Sequence, residues 1–348
     1  MRRSRLSRCV QRGTLLVFVL LLALAGAQVY AQSTPQQSAL QPAGPVARMQ
    51  LDLFMLTVYI AIGIFTLVVG LLLIAIVRFR SRPGRPEPKQ VTGNNTLEVV
   101  WTIVPVILVA IIAVPTVRGL FFVDTPPEGE SITVNVTAHQ WWWEFEYPDY
   151  GIVTANEMRI PTGKVVKLNL TSSDVIHSFW VPNLAGKMDT NPGRWNSMWL
   201  QADTPGVYYG QCAEFCGVAH ANMRFRVIAE TPEEFDAWVA RWEEALVEPV
   251  VHAETPDLVA RGAEAFMDRA CFACHAIAGT DAKGVVGPNL TLFGTRTSLA
   301  AGMLDNTPEN LAAWIRDPQA IKPGNQMPRL NVPEEDIQAI VAYLHSLR

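Results

Sequence analysis

Twelve consecutive residues of this 348-residue chain concentrate soft donor atoms: Cys212-Ala-Glu-Phe-Cys216-Gly-Val-Ala-His220-Ala-Asn-Met223. Two thiols, an imidazole and a thioether favour copper with Met as a weak axial donor, whereas structural zinc takes four strong ligands from Cys and His. The ligand this set still lacks should be a distant histidine. His177, in Asp174-Val-Ile-His-Ser-Phe-Trp180, sits at a strand end next to turn residues, a natural place for a rim ligand on a β-sandwich. Farther on, Cys271-Phe-Ala-Cys274-His275 has the spacing of c-type haem attachment, in which two thiols add to the vinyl groups and the adjacent imidazole becomes the proximal iron ligand. A redox-active dithiol is the alternative, but nothing thioredoxin-like flanks the pair. Two local disulfides would be the other use of these cysteines in an exported protein. The second axial ligand should be a downstream Met, and the choices are Met303 and Met327; Met327 lies in Asn325-Gln-Met-Pro328, before the last helical segment, while Met267 suits core packing. Cys9, the fifth cysteine, stands alone in an Arg-rich N-terminus, and no role is expected for it.

The elements that must position these residues follow from hydrophobic pattern. Short alternating runs from Ser131 to about Glu230, such as Ile132-Thr-Val-Asn-Val136, are broken by Pro, Gly, Asn and Asp turns and predict a β-sandwich or barrel. An amphipathic helix over Pro232–Leu246 closes it, and a Pro-containing linker follows. From Asp257 the texture is helical over Leu258–Asp268, Glu309–Arg316 and Glu334–Leu347. Upstream, Leu51–Val77 and Val99–Val117 are long enough to span a bilayer and form a transmembrane hairpin. The loop between them carries Arg78, Arg80, Arg82, Arg85 and Lys89 against Glu87 and Glu98, so the positive-inside rule places it in the cytoplasm and everything after about Phe121 outside. Pro105 and Pro115 in the second helix hint at packing against another subunit. Residues 1–31 have the Arg-rich, apolar and small-residue parts of a signal peptide, with cleavage after Ala27 or Ala31; an uncleaved first membrane helix is the alternative. The expected domains are therefore 1–31 signal peptide, 45–122 transmembrane hairpin, 123–246 copper domain, 247–256 linker and 257–348 haem domain. A net charge of −4 with 17% charged residues excludes a concentrated basic face and with it a nucleic-acid partner.

The Cys-x3-Cys-x3-His-x2-Met run, Gly210-Gln-Cys, Asp174-Val-Ile-His-Ser-Phe, Pro192-Gly-Arg194 and Gln140-Trp-Trp-Trp143 resemble subunit II of haem-copper cytochrome c oxidases over roughly residues 45–235. The resemblance implies a cupredoxin-like sandwich with a dinuclear copper A centre. Cys212 and Cys216 would each bridge both coppers, and His177, His220, Met223 and the Glu214 carbonyl would complete the ligands. It also implies that the Glu214 carboxylate reaches a magnesium ion at the junction with subunit I; a solvated loop carboxylate is the plainer reading. By the same resemblance Trp141 is where an electron enters the copper domain, with Trp142 and Trp143 packing, and Glu98 opens a proton-uptake route into subunit I. At the cytoplasmic edge Glu98 can equally be a snorkelling interfacial acid.

The tail resembles class I c-type cytochromes, which carry their axial Met where Met327 stands and whose Gly-Pro-Asn-Leu, here 287–290, offers the Pro288 carbonyl to the proximal imidazole of His275. Of six histidines none falls in a membrane segment, so the oxygen-reducing site, which needs several there, must be on another chain. The expectation is a multi-domain electron-transfer subunit in a bacterial-type plasma membrane, with its C-terminal domains on the periplasmic or outer side. It would take electrons from cytochrome c or a membrane-bound donor, pass them through covalent haem c and copper A to subunit I, and contact subunits I and III and the bilayer. The corresponding subunit of a quinol oxidase and a membrane-anchored carrier without an oxidase are the rivals; the intact ligand set with the haem motif counts against the first, and the hairpin with Glu98 and Glu214 against the second.

Overall fold

The computed structural model describes residues 37–80, 83–84, 87, 90–252 and 256–348; the expected signal peptide with Cys9, and Arg82, Arg85 and Lys89 of the basic loop, lie outside the described residues. Helices α1 (Pro45–Arg78) and α2 (Asn95–Asp124) each contain an 18-residue stretch, of mean hydropathy 3.1 and 2.7, long and apolar enough to cross a membrane. Both outrun the apolar stretches read from sequence and extend into the polar zone. Pro45 occupies the first turn of α1, and the Asn94 side chain accepts the Leu97 N–H at 3.1 Å to start α2. Leu67, Leu71, Ile74, Val106 and Val109 are exposed along the pair, an apolar surface suited to lipid or to another membrane subunit.

The hairpin is fixed to the exported part at both its outer ends. The N–H groups of Ala43 and Ala47 donate to the carbonyls of Asn183 and Leu184 at 2.7 and 3.2 Å, and Arg48 pairs with Asp203. At the end of α2 the Trp199 indole N–H donates to the Phe122 carbonyl at 3.3 Å.

The exported part begins with two five-stranded sheets. One runs β3 (Ile152–Ala155), β2 (Trp142–Tyr147), β1 (Ser131–His139), β5 (Val165–Ser172), β8 (Asn196–Leu200). The other runs β4 (Glu157–Pro161), β10 (Arg224–Glu230), β9 (Gly206–Cys212), β6 (His177–Trp180), β7 (Met188–Thr190). Alternation of buried and half-buried residues along β1, and along β5 from Val166, supplies one inner face, and Val134, Val136, Phe145, Leu168, Phe179 and Phe225 fill the space between the sheets. Helix α3 (Pro232–Val247) opens with a capping box between Thr231 and Glu234 and buries Phe235, Trp238 and Trp242 against the sandwich.

The helical tail contains α4 (Pro256–Asp268), the short hairpin β11 (Ser298–Leu299) and β12 (Leu304–Asp305), α5 (Pro308–Arg316), α6 (Pro318–Ile321) and α7 (Glu334–Ser346). Helices α4 and α7 cross so closely that a Cβ on Gly262 would lie 2.0 Å from the Ala339 carbonyl oxygen, which explains glycine there. After the sandwich's closing helix, Val251 and His252 are tied to the tail. Val251 bridges to Leu347, and the His252 N–H donates to the Ser346 carbonyl at 2.8 Å.

Sandwich and tail share an interface as well as a connection. Glu157 is 4% exposed, and its carboxylate accepts the Thr297 N–H at 3.0 Å and the hydroxyls of Thr297 and Ser298 at 2.7 Å each. The Arg226 guanidinium donates to the Thr297 hydroxyl at 2.6 Å, the Arg224 N–H to the Ala301 carbonyl at 3.1 Å, and Trp142 packs on Ala155 and Ala301.

Candidate copper and haem sites

Strand β9 delivers Cys212 at its end, and the loop from Ala213 returns Cys216, His220 and Met223 before β10 begins. His177 opens β6, which pairs with β9 through Phe179 and Cys212, so a residue 35 positions upstream meets the loop. The two Sγ atoms lie 3.8 Å apart. His177 Nδ1 is 3.9 Å from Cys212 Sγ, and the Glu214 carbonyl oxygen is 3.2 Å from the same sulphur. His220 Nδ1 is 3.5 Å from Cys216 Sγ, and Met223 Sδ is 3.9 Å from it. The other four ligand atoms named from the sequence therefore surround the sulphur pair. Each thiol has its own imidazole, with the carbonyl on one side and the thioether on the other, a donor set that fits two soft metals bridged by two thiolates.

Electrostatics agree with that use. Cys212 is held well below the usual thiol range, first by the hydrogen bond it shares with Cys216 against the cost of burial, then by His177 and backbone groups. Cys216 moves the other way, pushed up by the bond to Cys212 and by burial, because two adjacent thiols resist giving up both protons without a cation between them. Burial works against charging His177, yet the bonds to Asp174 and Cys212 raise its pKa.

Three supporting residues had no role assigned from sequence. Asp174 Oδ1 lies 2.8 Å from His177 Nε2, and Asp174 Oδ2 accepts the Gln140 N–H at 2.6 Å. The Gln140 side chain and the Trp141 indole N–H both donate to the Cys216 carbonyl, at 2.7 and 3.0 Å. The signal for Asp174 was its place three residues before His177; the third, Lys322, gives no local signal. Its Nζ donates to the Trp141 carbonyl at 2.7 Å from the far domain. Trp141 is 8% exposed, its indole against the loop of Cys216 and Gly217, whereas Trp143 is wholly buried against His177 and Phe179. Glu214 is exposed at the loop tip, and Glu98 lies exposed in the first turn of α2.

In the tail, Cys271 and Cys274 occupy the turn after α4 and are free thiols, as are Cys212 and Cys216, so no disulfide joins either pair among the described residues. His275 Nδ1 is 2.7 Å from the Pro288 carbonyl, which accepts its proton and leaves Nε2 bare for a metal. Burial also lowers the His275 pKa against the pull of Pro288, keeping the ring neutral. A Cβ on Gly287 would lie 2.7 Å from the His275 ring, so glycine lets the backbone close over the imidazole. Burial pushes the Cys271 thiol up to about 11. The pair of thiols, the oriented imidazole and the glycine that admits it fit covalent haem. Met327 is held through its backbone: its N–H donates to Asn325 Oδ1 and its carbonyl accepts from Gln319, each at 2.8 Å. Met303 instead sits in the β11–β12 turn, beside the interdomain contact made by Ala301.

Fold and site together define a membrane-anchored, cupredoxin-type electron-transfer protein with a fused c-type cytochrome domain. Family models match as the transmembrane domain of cytochrome c oxidase subunit II over residues 33–118, its periplasmic domain over 151–230, and cytochrome c over 259–348. Cytochrome c oxidase subunit 2 of Alkalihalophilus pseudofirmus is 44% identical over 318 residues, 89% of this chain and 91% of that protein. The same subunit from Bacillus sp. strain PS3 is 42% identical over 334 residues, covering 90% and 92%. Among solved structures, the periplasmic domain of subunit II of cytochrome oxidase from Bradyrhizobium japonicum is 34% identical with a TM-score of 0.33, covering 34% of this chain and 98% of that one. The chain belongs to the cytochrome c oxidase subunit II family. It is a subunit of an oxidase, a membrane protein with its C-terminal domains outside, and its domains imply copper A and haem c in general.

Proposed function

We propose that this subunit takes electrons from a cytochrome c-type donor at the domain carrying Cys271, Cys274 and His275, passes them to the Cys212–Cys216 site, and delivers them to subunit I. The observation that carries this reading is the contact of the tail with Trp141: Lys322 bonds the Trp141 carbonyl, and the Trp141 indole N–H reaches the Cys216 carbonyl. The fused domain would serve there in place of a docked donor. The domain limits are those drawn from sequence: signal peptide 1–31, hairpin 45–122, copper domain 123–246, connection 247–256 and haem domain 257–348.

Copper A and haem c, when bound, supply one-electron redox chemistry. His177, Cys212, Cys216, His220, Met223 and the Glu214 carbonyl would hold the copper pair, and Cys271, Cys274, His275 and Met327 the haem. The chain's own work is positioning. Asp174 presents Nδ1 of His177 to the sulphurs, Pro288 presents Nε2 of His275, and Gln140 and Trp141 tie down the Cys216 backbone. A cleft of about 510 Å³, lined by Gln50 of α1, Trp180, Lys187, Cys212 and His220, opens beside the copper ligands toward the hairpin, and subunit I would close it. There Glu214 would reach magnesium, Glu98 would serve proton uptake from the cytoplasmic side, and subunit III would complete the complex. Metal and haem analysis of the purified oxidase tests the assignment. A pair of coppers and one acid-acetone-resistant haem on this subunit are expected; zinc in place of copper, or extractable haem, would refute it.

A further inference from the structure

Lys322 places an amine where charge is seldom left: 3% exposed, between α6 and the loop that carries Met327. Its hydrogen-bond partners are carbonyls, that of Trp141 at 2.7 Å and that of Ala300 at 3.4 Å. Burial lowers its pKa to about 7, with Cys216 pulling the other way. An amine so enclosed contributes less to an interface than an apolar side chain of the same length, so stability alone does not explain it.

What the amine does is complete a bonded chain. The Met327 N–H donates to Asn325 Oδ1 at 2.8 Å, and Asn325 Nδ2 donates to the Lys322 carbonyl at 2.6 Å. The Lys322 side chain then reaches the Trp141 carbonyl, and the Trp141 indole donates to the Cys216 carbonyl at 3.0 Å. The loop presses on the copper side at a second point, since a Cβ on Gly324 would lie 2.5 Å from the Val218 side chain. We infer that Lys322 is a positioning residue for electron transfer between the two redox sites, resting on the assignment of Met327 and Cys216 given above. It seats the Met327 loop on Trp141 and closes the route from one site's ligand to the other's. The step it serves is a one-electron transfer in which the iron site is oxidised and the copper site reduced.

The test uses the intact oxidase, with a photoexcited ruthenium complex injecting an electron into haem c while haem and copper bands are followed separately. Lys322→Met should slow the haem-to-copper step about 10- to 100-fold, the range over which misplacing a positioned group acts, while haem reduction by the ruthenium complex and the haem and copper contents stay unchanged. Lys322→Arg, which keeps a donor for the Trp141 carbonyl, should restore most of the rate. Should Lys322→Met fail to assemble with haem and copper, Lys322→Leu, which likewise offers no donor, carries the same expectation. An unchanged haem-to-copper rate in a loaded Met or Leu variant would overturn the inference. So would equal slowing by Arg226→Ala, which removes an interface contact away from this route, because Lys322 would then be one docking contact among several. If the unaltered protein shows no haem-to-copper transfer at all, the functional reading fails, whatever Lys322 does.

Discussion

Asp174 fixes which nitrogen of His177 faces the sulphur pair: its Oδ1 lies 2.8 Å from Nε2, leaving Nδ1 directed at Cys212. Outer carboxylates of this kind orient the ring and raise its basicity, and their removal typically costs about 10- to 100-fold in metal affinity. Asp174→Asn should therefore lower copper retention by about that factor with the fold intact, measured by competition with a copper chelator and by circular dichroism. Retention equal to the unaltered protein would show that β6 alone orients the ring.

The axial methionine is decided by a pair of substitutions. Met327→Ala should leave haem covalently attached but abolish the methionine-to-iron charge-transfer band and lower the haem potential. Met303→Ala should keep both. The reverse result would move the ligand into the β11–β12 turn.

Docking of the tail depends on Glu157, buried with its carboxylate accepting from Thr297 and Ser298. Glu157→Ala should destabilise the interface by about 2–4 kcal/mol, since the donors across it lose a charged acceptor. Calorimetry of the exported fragment should then resolve separate transitions for sandwich and tail where the unaltered fragment shows one.

His139 sets an acid limit on stability. Its ring stacks on Trp142 with centroids 4.1 Å apart, and burial lowers its pKa from 6.5 to about 4, against Asp174 and together with His177. The folded ring stays neutral where the unfolded chain takes up a proton. Its stabilising effect is complete above pH 6.5 and lost as the pH falls toward 4. After allowance for partial exposure the change is about 2 kcal/mol. Denaturant unfolding of the exported fragment between these limits should show that decline, and His139→Gln should lack it.

The two redox motifs were legible because ligand chemistry imposes short, ordered spacings: Cys212 to Met223 and Cys271 to His275 each lie on one turn or loop. Strand alternation around Ile132–Val136, the amphipathic run Pro232–Leu246 and the apolar runs Leu51–Val77 and Val99–Val117 are likewise local patterns, so sandwich, closing helix and hairpin could be read in order. The docking could not. Glu157 looks like any strand residue and Lys322 like any loop lysine, and each gains its role from a partner more than 100 positions away. The acids near the junction illustrate the same point. Glu230 stands in the sequence among several acids that precede and open α3, but its carboxylate is paired with Arg159 inside the protein. Helix limits differ only at the ends, where α1 begins at Pro45 and α2 runs from the Asn94 cap to Asp124, both beyond their apolar cores.

The order of electron flow is measured most directly by stopped-flow mixing of the intact oxidase with reduced cytochrome c, following haem c and copper A at separate wavelengths. Haem c should be reduced first, copper A should follow at a rate independent of donor concentration, and His275 or Cys271 variants lacking haem should show slowed copper reduction. Copper reduced at an unchanged rate in the haem-less variant would contradict the account, and would make the tail an accessory domain with Trp141 receiving electrons directly from the donor.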